Sequence, residues 1–374
     1  MTIYIAQIAL LFVLWPLRKI QIKVAKKKSV DSIALTLMFV FLFLTMALRD
    51  KSVGTDTLGY SWVYEGIANA NDFRTALTWS SISSSPIYVG IHYLVSRIIV
   101  NYQIAIAINS AVISLSFYYY IKNNSCDYCF SVFLFIALCM YSESMNGSRQ
   151  FMAIGIALNA YSLIKENRKS KKGWILYIIA LGIHNTIAAF MIAFLGIILK
   201  NRIKGSAKAF RLSVIISMAI ALGFSLMINV FVRLFPYFNI YLDGTNGAQL
   251  FQNGGNGRIA LLYFALGFFV FTTYFFMKKK NTDIVLTDTV DLFTCLVCVF
   301  LGIAFSRNIL FNRILWPFLC VFIVFLPNCF RTLVRSNRQA MYSAAIVVLG
   351  AYCMWFLLED KSSIVPYMTF WMAN

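Results

Sequence analysis

The chain is predicted to be an all-α, polytopic membrane protein, and three features of its 374 residues predict it. Hydrophobic residues make up 60% and charged residues 13%, too apolar a balance for a surface that faces water throughout. The apolar residues fall in successive runs suited to helices crossing a hydrocarbon layer about 30 Å thick, which takes roughly 17–25 residues. The cations, which leave a net charge of +19, fall in short connections between the runs, where the positive-inside bias places them. The charge is thus accounted for by topology, and no nucleic-acid partner is expected. No repeat or linker divides the chain, so residues 1–374 are expected to form a single integral membrane domain.

An apolar run over 3–17 is followed by a basic cluster from Arg18 to Lys28 and by no small-residue cleavage site, so it reads as a retained first helix. Its basic flank lies inside and the N-terminus outside. Residues 32–48 return outward and deliver the sequence RDKSVGTDTLGY (49–60), which opens a long polar outer loop over 49–85. Residues 86–100 are short for a span and are interrupted by His92, Ser96 and Arg97; they read as an amphipathic helix on the outer face, with His92 an interfacial polar residue. Runs over 102–121, 128–140 and 151–164 then cross inward, outward and inward, with YSESMNGSRQ as an outer connection. The next run, 174–199, has basic residues at both ends; two short arms with His184 and Asn185 at their tip keep both clusters inside. Residues 211–232 lead out to a second long outer loop over 233–258, and runs over 259–277, 289–305, 309–327 and 341–357 complete the chain. The total is about twelve crossings, with both ends outside.

Of the eight cysteines, Cys126 and Cys129 lack a second metal-ligand pair, and Cys295 and Cys298 sit inside an apolar run, which suits packing better than a metal. No phosphate-binding glycine loop, metalloprotease helix or nucleophile elbow is present. The cations carry more information. On this topology the inner face holds 16 Lys and 7 Arg, whereas the outer face and adjoining helix ends hold 8 Arg and 2 Lys. The outer arginines are Arg49, Arg74, Arg97, Arg149, Arg233, Arg258, Arg307 and Arg313. Guanidinium keeps its charge and matches phosphate oxygens with a planar fork, so the bias suits a phosphate-bearing ligand at the outer face. Pairing with carboxylates or snorkelling to headgroups is the competing use of each arginine. Arg149, Arg307 and Arg313 stand out because they lie at helix ends or within an apolar run, where an unpaired charge is costly. For proton transfer the candidates are His184 and its rival Asp56. Outer aromatics including Tyr60, Trp62 and Trp79 suit either an interfacial belt or stacking on sugar rings.

Four blocks carry a resemblance: RDKSVGTDTLGY, SRQFMAIGIALNAYSLI, IALGIHNTIAAF and a terminal PYMTFW. In this order they resemble the EpsG-like group of bacterial exopolysaccharide and O-antigen polymerases, the Wzy type, over most of the chain. The resemblance implies a GT-C-like multi-helix fold in the bacterial inner (cytoplasmic) membrane and a metal-independent, inverting glycosyl transfer on its outer face, without a cofactor. The implied donor is a growing glycan on undecaprenyl diphosphate and the acceptor a single repeat unit on the same carrier, with membrane lipid and a chain-length regulator protein as further partners. The family pattern matches Arg49, Gly54, Asp56, Thr57 and Tyr60 in the first block, Arg149 and Gln150 in the second, and His184 in the third. Before Ile87, where the family often has an acid, this chain has Pro86 preceded by Ser85. Joined to the reading of the cations, this assigns Arg49, Arg149, Arg307 and Arg313 to the diphosphate and His184 or Asp56 to the attacking hydroxyl. Tyr60, Thr57 and Gln150 are assigned to the sugar. The rival reading is a flippase or transporter for lipid-linked oligosaccharide, which should show repeated halves with broken helices.

Overall fold

The structure, a computed structural model, describes residues 1–21, 27–79, 85–202, 206–234, 257–279, 289–306, 309–360 and 362–372. Every regular element among them is a helix. Five are long and apolar enough to cross a membrane: Tyr102–Asn124, Ala207–Phe224, Ile259–Lys278, Asn312–Thr332 and Arg335–Glu359. A bent pair adds a sixth, and Thr2–Trp15, Ile33–Ala47, Asn185–Lys200 and Thr289–Phe305 are shorter apolar helices. The protein is an all-helical, polytopic membrane protein, as the composition predicts.

Packing divides the chain into two compact units, Met1–Ala188 with Gly350–Asn374, and Ala189–Leu349. The first unit contains α1 (Thr2–Gln21), α2 (Lys27–Ala47), α3 (Thr57–Asn69), α4 (Phe73–Thr78), α5 (Pro86–Ser96), α6 (Tyr102–Asn124), α7 (Tyr128–Ala137), α8 (Met140–Asn146), α9 (Ser148–Glu166) and α10 (Lys171–Ile183). Helices α2, α6, α9 and α10 pack in succession, α2 on α6, α6 on α9 and α9 on α10. Gly155 of α9 permits one of these contacts: a Cβ there would lie 2.6 Å from Ser116 Cβ of α6.

Two expected connections are helical. The stretch 49–85 is not one long loop but a turn followed by α3 and α4, because α3 buries Thr57, Ser61, Tyr64 and Ile67 at helical spacing. Its inward stripe is built from hydroxyl and aromatic residues, so a search for aliphatic periodicity passes over it. The carboxylate of Asp72 accepts from Thr75 N–H at 2.7 Å and caps α4. Likewise YSESMN is the helix α8, set off from α7 by a 54° bend at Cys139, whose φ of 61° lies in the left-handed region.

Helix α5 occupies the place expected of the amphipathic helix, yet it faces the other way. Tyr88, Val89, His92 and Ser96 point into the protein, while Leu94 is 69% exposed. The expectation of an interfacial His92 is therefore corrected: its side chain is 1% exposed. Its Nε2 lies 3.1 Å from Asn109 Oδ1 of α6, and the rings of Tyr64 and Tyr88 pack edge-on against it.

The second unit holds a 3₁₀ segment continuing from Asn185–Phe194, then α11 (Leu195–Arg202), α12 (Ser206–Leu234), α13 (Gly257–Lys279), α14 (Thr289–Phe305), α15 (Ile309–Thr332) and most of α16 (Arg335–Glu359). Helix α14 is its centre, packed by α11, α12, α13 and α15. Cys295 and Cys298 lie buried on it, in the packing role expected of them. The expected outer loop 233–258 falls outside the described residues apart from its helical ends.

Candidate functional site

In the first unit, four segments meet at residues 146–150, the end of α8 and first turn of α9. Asn146 Oδ1 accepts from Asp56 N–H at 2.8 Å, which ties the turn before α3 to α8. Arg149 Nη1 donates to Ser85 Oγ at 3.3 Å, at the start of α5. Gln150 Nε2 donates to Thr186 Oγ1 at 3.1 Å, just beyond α10. The N-terminal ends of α3, α5 and α9 are thereby linked to one region, and in none does the N-cap side chain bond the helix amides. Converging N-termini present partial positive charge, a setting that favours an anion.

Arg149 adds a full charge there. Its guanidinium lies 5.8 Å from the centroid of the Tyr88 ring, and its buried Nε has no hydrogen-bond partner among the described residues. Tyr88 is itself held from beneath. Asn109 Nδ2 donates to Tyr88 Oη and to Ser148 Oγ, both at 3.4 Å, while Asn109 Oδ1 faces His92. This buried network joins α5, α6 and the start of α9. The sequence carries one signal for it, the costly amide of Asn109 inside the apolar run 102–121.

Burial pushes the His92 imidazole down to about 4, against a small opposing effect of Asn109. A free imidazole titrates near 6.5. Between these values the unfolded chain binds a proton that the native chain does not, so native stability rises with pH through the window and falls on acidification. Thermal unfolding in detergent from pH 7 down to pH 4 is expected to show a loss of about 2–4 kcal/mol that His92→Gln removes.

His184 ends α10 in an extended conformation, with φ −152° and ψ 121°. Its Nδ1 accepts from Thr186 N–H at 3.3 Å and lies 2.8 Å from Thr186 Oγ1. An amide N–H only donates, so in this arrangement Nδ1 carries the lone pair and Nε2 the proton. The chain Gln150, Thr186, His184 thus fixes the imidazole tautomer. A change from α-helix to 3₁₀ helix falls at His184, the place where the tip between two short arms is expected.

Arg49 and Thr57 are engaged with backbone carbonyls in this geometry. Arg49 is 1% exposed; its Nη1 donates to Met46 O, and Nη2 donates to Met145 O at 3.0 Å. Burial lowers its pKa to about 10, so it stays cationic at neutral pH. Thr57 Oγ1 donates to Val53 O at 2.8 Å and lies 3.3 Å from Met145 O. Both residues fasten the 49–57 turn to α8. Tyr60, half-buried, stands one helical turn beyond Asp56, whose carbonyl accepts its N–H at 3.1 Å.

A strap formed by residues 362–370 holds the same turn from the opposite side. Asp50 N–H donates to Met368 O, Gly54 N–H to Ser363 O and Thr55 N–H to Ser362 O at 2.8–3.0 Å, while Phe370 N–H donates to Leu48 O. Tyr4 and Tyr367 anchor it further, donating to Ile364 O and Thr45 O. Gly54 sits in the turn at φ +100°, where a Cβ would fall 2.7 Å from Thr57 Oγ1. Gly54→Ala is expected to lower stability by about 1–3 kcal/mol, read as a lower thermal midpoint in detergent.

Of the remaining expected residues, Arg313 belongs to the second unit, on α15, with its guanidinium 5.6 Å from the Trp316 ring. Arg307 lies outside the described residues.

Fold and site define a class: a multi-pass helical membrane protein with an arginine set among helix N-termini, beside a histidine of fixed tautomer. The family model for EpsG matches residues 32–369, and the chain belongs to the EpsG family. No curated protein and no solved structure matches it. Membership suggests a polysaccharide polymerase-type function, that of a glycosyltransferase-type enzyme acting on lipid-linked glycans in a membrane.

Proposed function

We propose that the protein joins undecaprenyl diphosphate-linked oligosaccharide repeat units into O-antigen or exopolysaccharide chains, by glycosyl transfer at the outer face of the bacterial inner membrane. The observation that carries this reading is the meeting of Asp56, Ser85, Arg149 and Thr186 on residues 146–150. It supplies the parts that such a transfer needs. An acceptor hydroxyl attacks the anomeric carbon, the bond from that carbon to the diphosphate oxygen breaks, and the configuration inverts. Arg149 and the N-termini of α3, α5 and α9 stabilise the charge that grows on the departing diphosphate, so the transfer is read as metal-independent. The proton of the attacking hydroxyl goes to the Asp56 carboxylate. His184, with its proton on Nε2, acts as a donor to a substrate oxygen. Arg49 and Thr57 position the turn that carries Asp56, Tyr60 and Gln150 border the sugar, and Arg313 and Arg307 remain candidates for phosphate. A GT-C-like arrangement with about twelve crossings belongs to the same reading, as does a chain-length regulator as partner.

The test is glycan profiling in a strain lacking the gene, complemented with the intact sequence or with Arg149→Ala or His184→Ala. The expected result is single repeats that reach the surface acceptor without lengthening, restored to a ladder only by the intact sequence. Unexported single repeats inside the cell would replace this reading with that of a flippase.

A further inference from the structure

Gly59 has no packing reason to be a glycine. It lies in the interior of α3, where glycine weakens a helix relative to alanine, and a Cβ added there would meet nothing within 4 Å. The surface above it is simply open. One turn further on, Trp62 projects from the exposed side of α3 with 62% of its surface accessible. Another turn further is Gly66, and here the reason for glycine is plain: the indole of Trp79 lies on it, so close that a Cβ would reach its Nε1 and Cε2. Trp79 is nonetheless 48% exposed, with one side of the ring seated on the helix. Positions 59, 62 and 66 share one face of a helix. Two exposed indoles therefore lie along this face of α3, one of them seated on Gly66, with an open approach to them over Gly59.

The strip runs directly out of the candidate site. Asp56 is the N-cap residue of α3, so at about 1.5 Å per residue Trp62 lies about 9 Å, and the Trp79 ring about 15 Å, along the helix from it. Glu65 and Asn69 on α3 and Asp72 and Arg74 at the start of α4 are exposed, along with Leu58 and Phe73, so the surface near the indoles carries charge as well as apolar area. A face meant to enter lipid would carry these charges into the headgroup boundary with it. Indole faces bordered by carboxylate and amide groups instead match a sugar chain, whose rings offer C–H faces to stack and hydroxyls to bond.

We infer that the strip from Gly59 through Trp62 to the Trp79 ring on Gly66 is a docking track for the glycan part of the substrate, gripping the chain a few sugar rings from the reacting bond. This rests on the proposed polymerase reading and adds to it where the polysaccharide lies.

The test uses the full chain in lipid nanodiscs, titrated calorimetrically with lipid-free oligosaccharides of graded length from partial acid hydrolysis of the host's own polysaccharide. Oligosaccharides of several repeats are expected to bind. Trp62→Ala, Trp79→Ala and Gly59→Leu should each weaken binding by about tenfold, and Trp62→Phe should restore most of it. In cells the same Ala variants should shorten the ladder. Equal affinity across the variants, or no binding to the intact protein, overturns the track. Quenching of Trp62 fluorescence by brominated lipid also overturns it, placing this face in the membrane. The outcomes separate from those of the parent reading: if the deletion strain keeps its ladder, the polymerase reading itself has failed. If the ladder needs the gene but ignores Trp62 and Trp79, the track alone falls.

Discussion

Arg149→Lys is expected to slow chain lengthening by about 10²–10³-fold while leaving the protein folded and abundant. The charge is conserved in this variant, so the effect isolates geometry. Arg149 reaches Ser85 through one Nη, spreads over the Tyr88 ring, and keeps a buried Nε without a partner among the described residues. An ammonium reproduces neither the fork nor the stacking. The measurement is elongation of lipid-linked oligosaccharide by isolated membranes, normalised to the amount of protein and accompanied by its thermal midpoint. Full activity in Arg149→Lys would remove Arg149 from the diphosphate site. Tyr88→Phe, which keeps the ring beneath the guanidinium, should cost far less.

Arg49→Ala is expected to act on a different quantity. The guanidinium of Arg49 is enclosed, and its removal takes one donor from the Met46 carbonyl and one of two from the Met145 carbonyl and leaves a buried space. The cost should be about 2–5 kcal/mol of stability, seen as a sharply lower thermal midpoint and a reduced steady-state level. What remains folded at low temperature should retain most of its activity per molecule. A stable but inactive Arg49→Lys would contradict this and return Arg49 to the ligand. Two arginines that look equivalent in the sequence are thus separated by burial: Arg49 anchors the turn, and Arg149 is the one proposed for the diphosphate.

Much of the architecture was legible in the sequence because it is written in aliphatic runs. The run at 289–305 is α14 residue for residue, and those at 151–164 and 259–277 fall inside α9 and α13. The basic residues on both sides of the 174–199 run pointed to a tip at His184, and the structure changes helix type there. Elements whose buried faces are polar were not. The inward stripe of α3 contains Thr57 and Ser61, and α8 is mostly hydroxyl and amide residues, so both resemble loops until tertiary packing reveals the face. The same holds at the site. Arg149 and His184 could be singled out by residue type and place and Gln150 by the family resemblance, and the structure ties Gln150 to His184 through Thr186. The support beneath them could not: His92 meets Asn109, and Asn109 meets Tyr88, only through the register of α5 on α6. Helical periodicity gives each face and not its opposite number.

The strap has a consequence for how the protein comes to be made. Asp50 and Gly54 reach their backbone partners only when Met368 and Ser363 have left the ribosome. The motif-bearing turn is therefore among the first parts of the chain to emerge and among the last to be fastened. Throughout synthesis and insertion it is held by its contacts to α8, and a chain halted before residue 362 carries every expected catalytic residue without the strap that closes the turn.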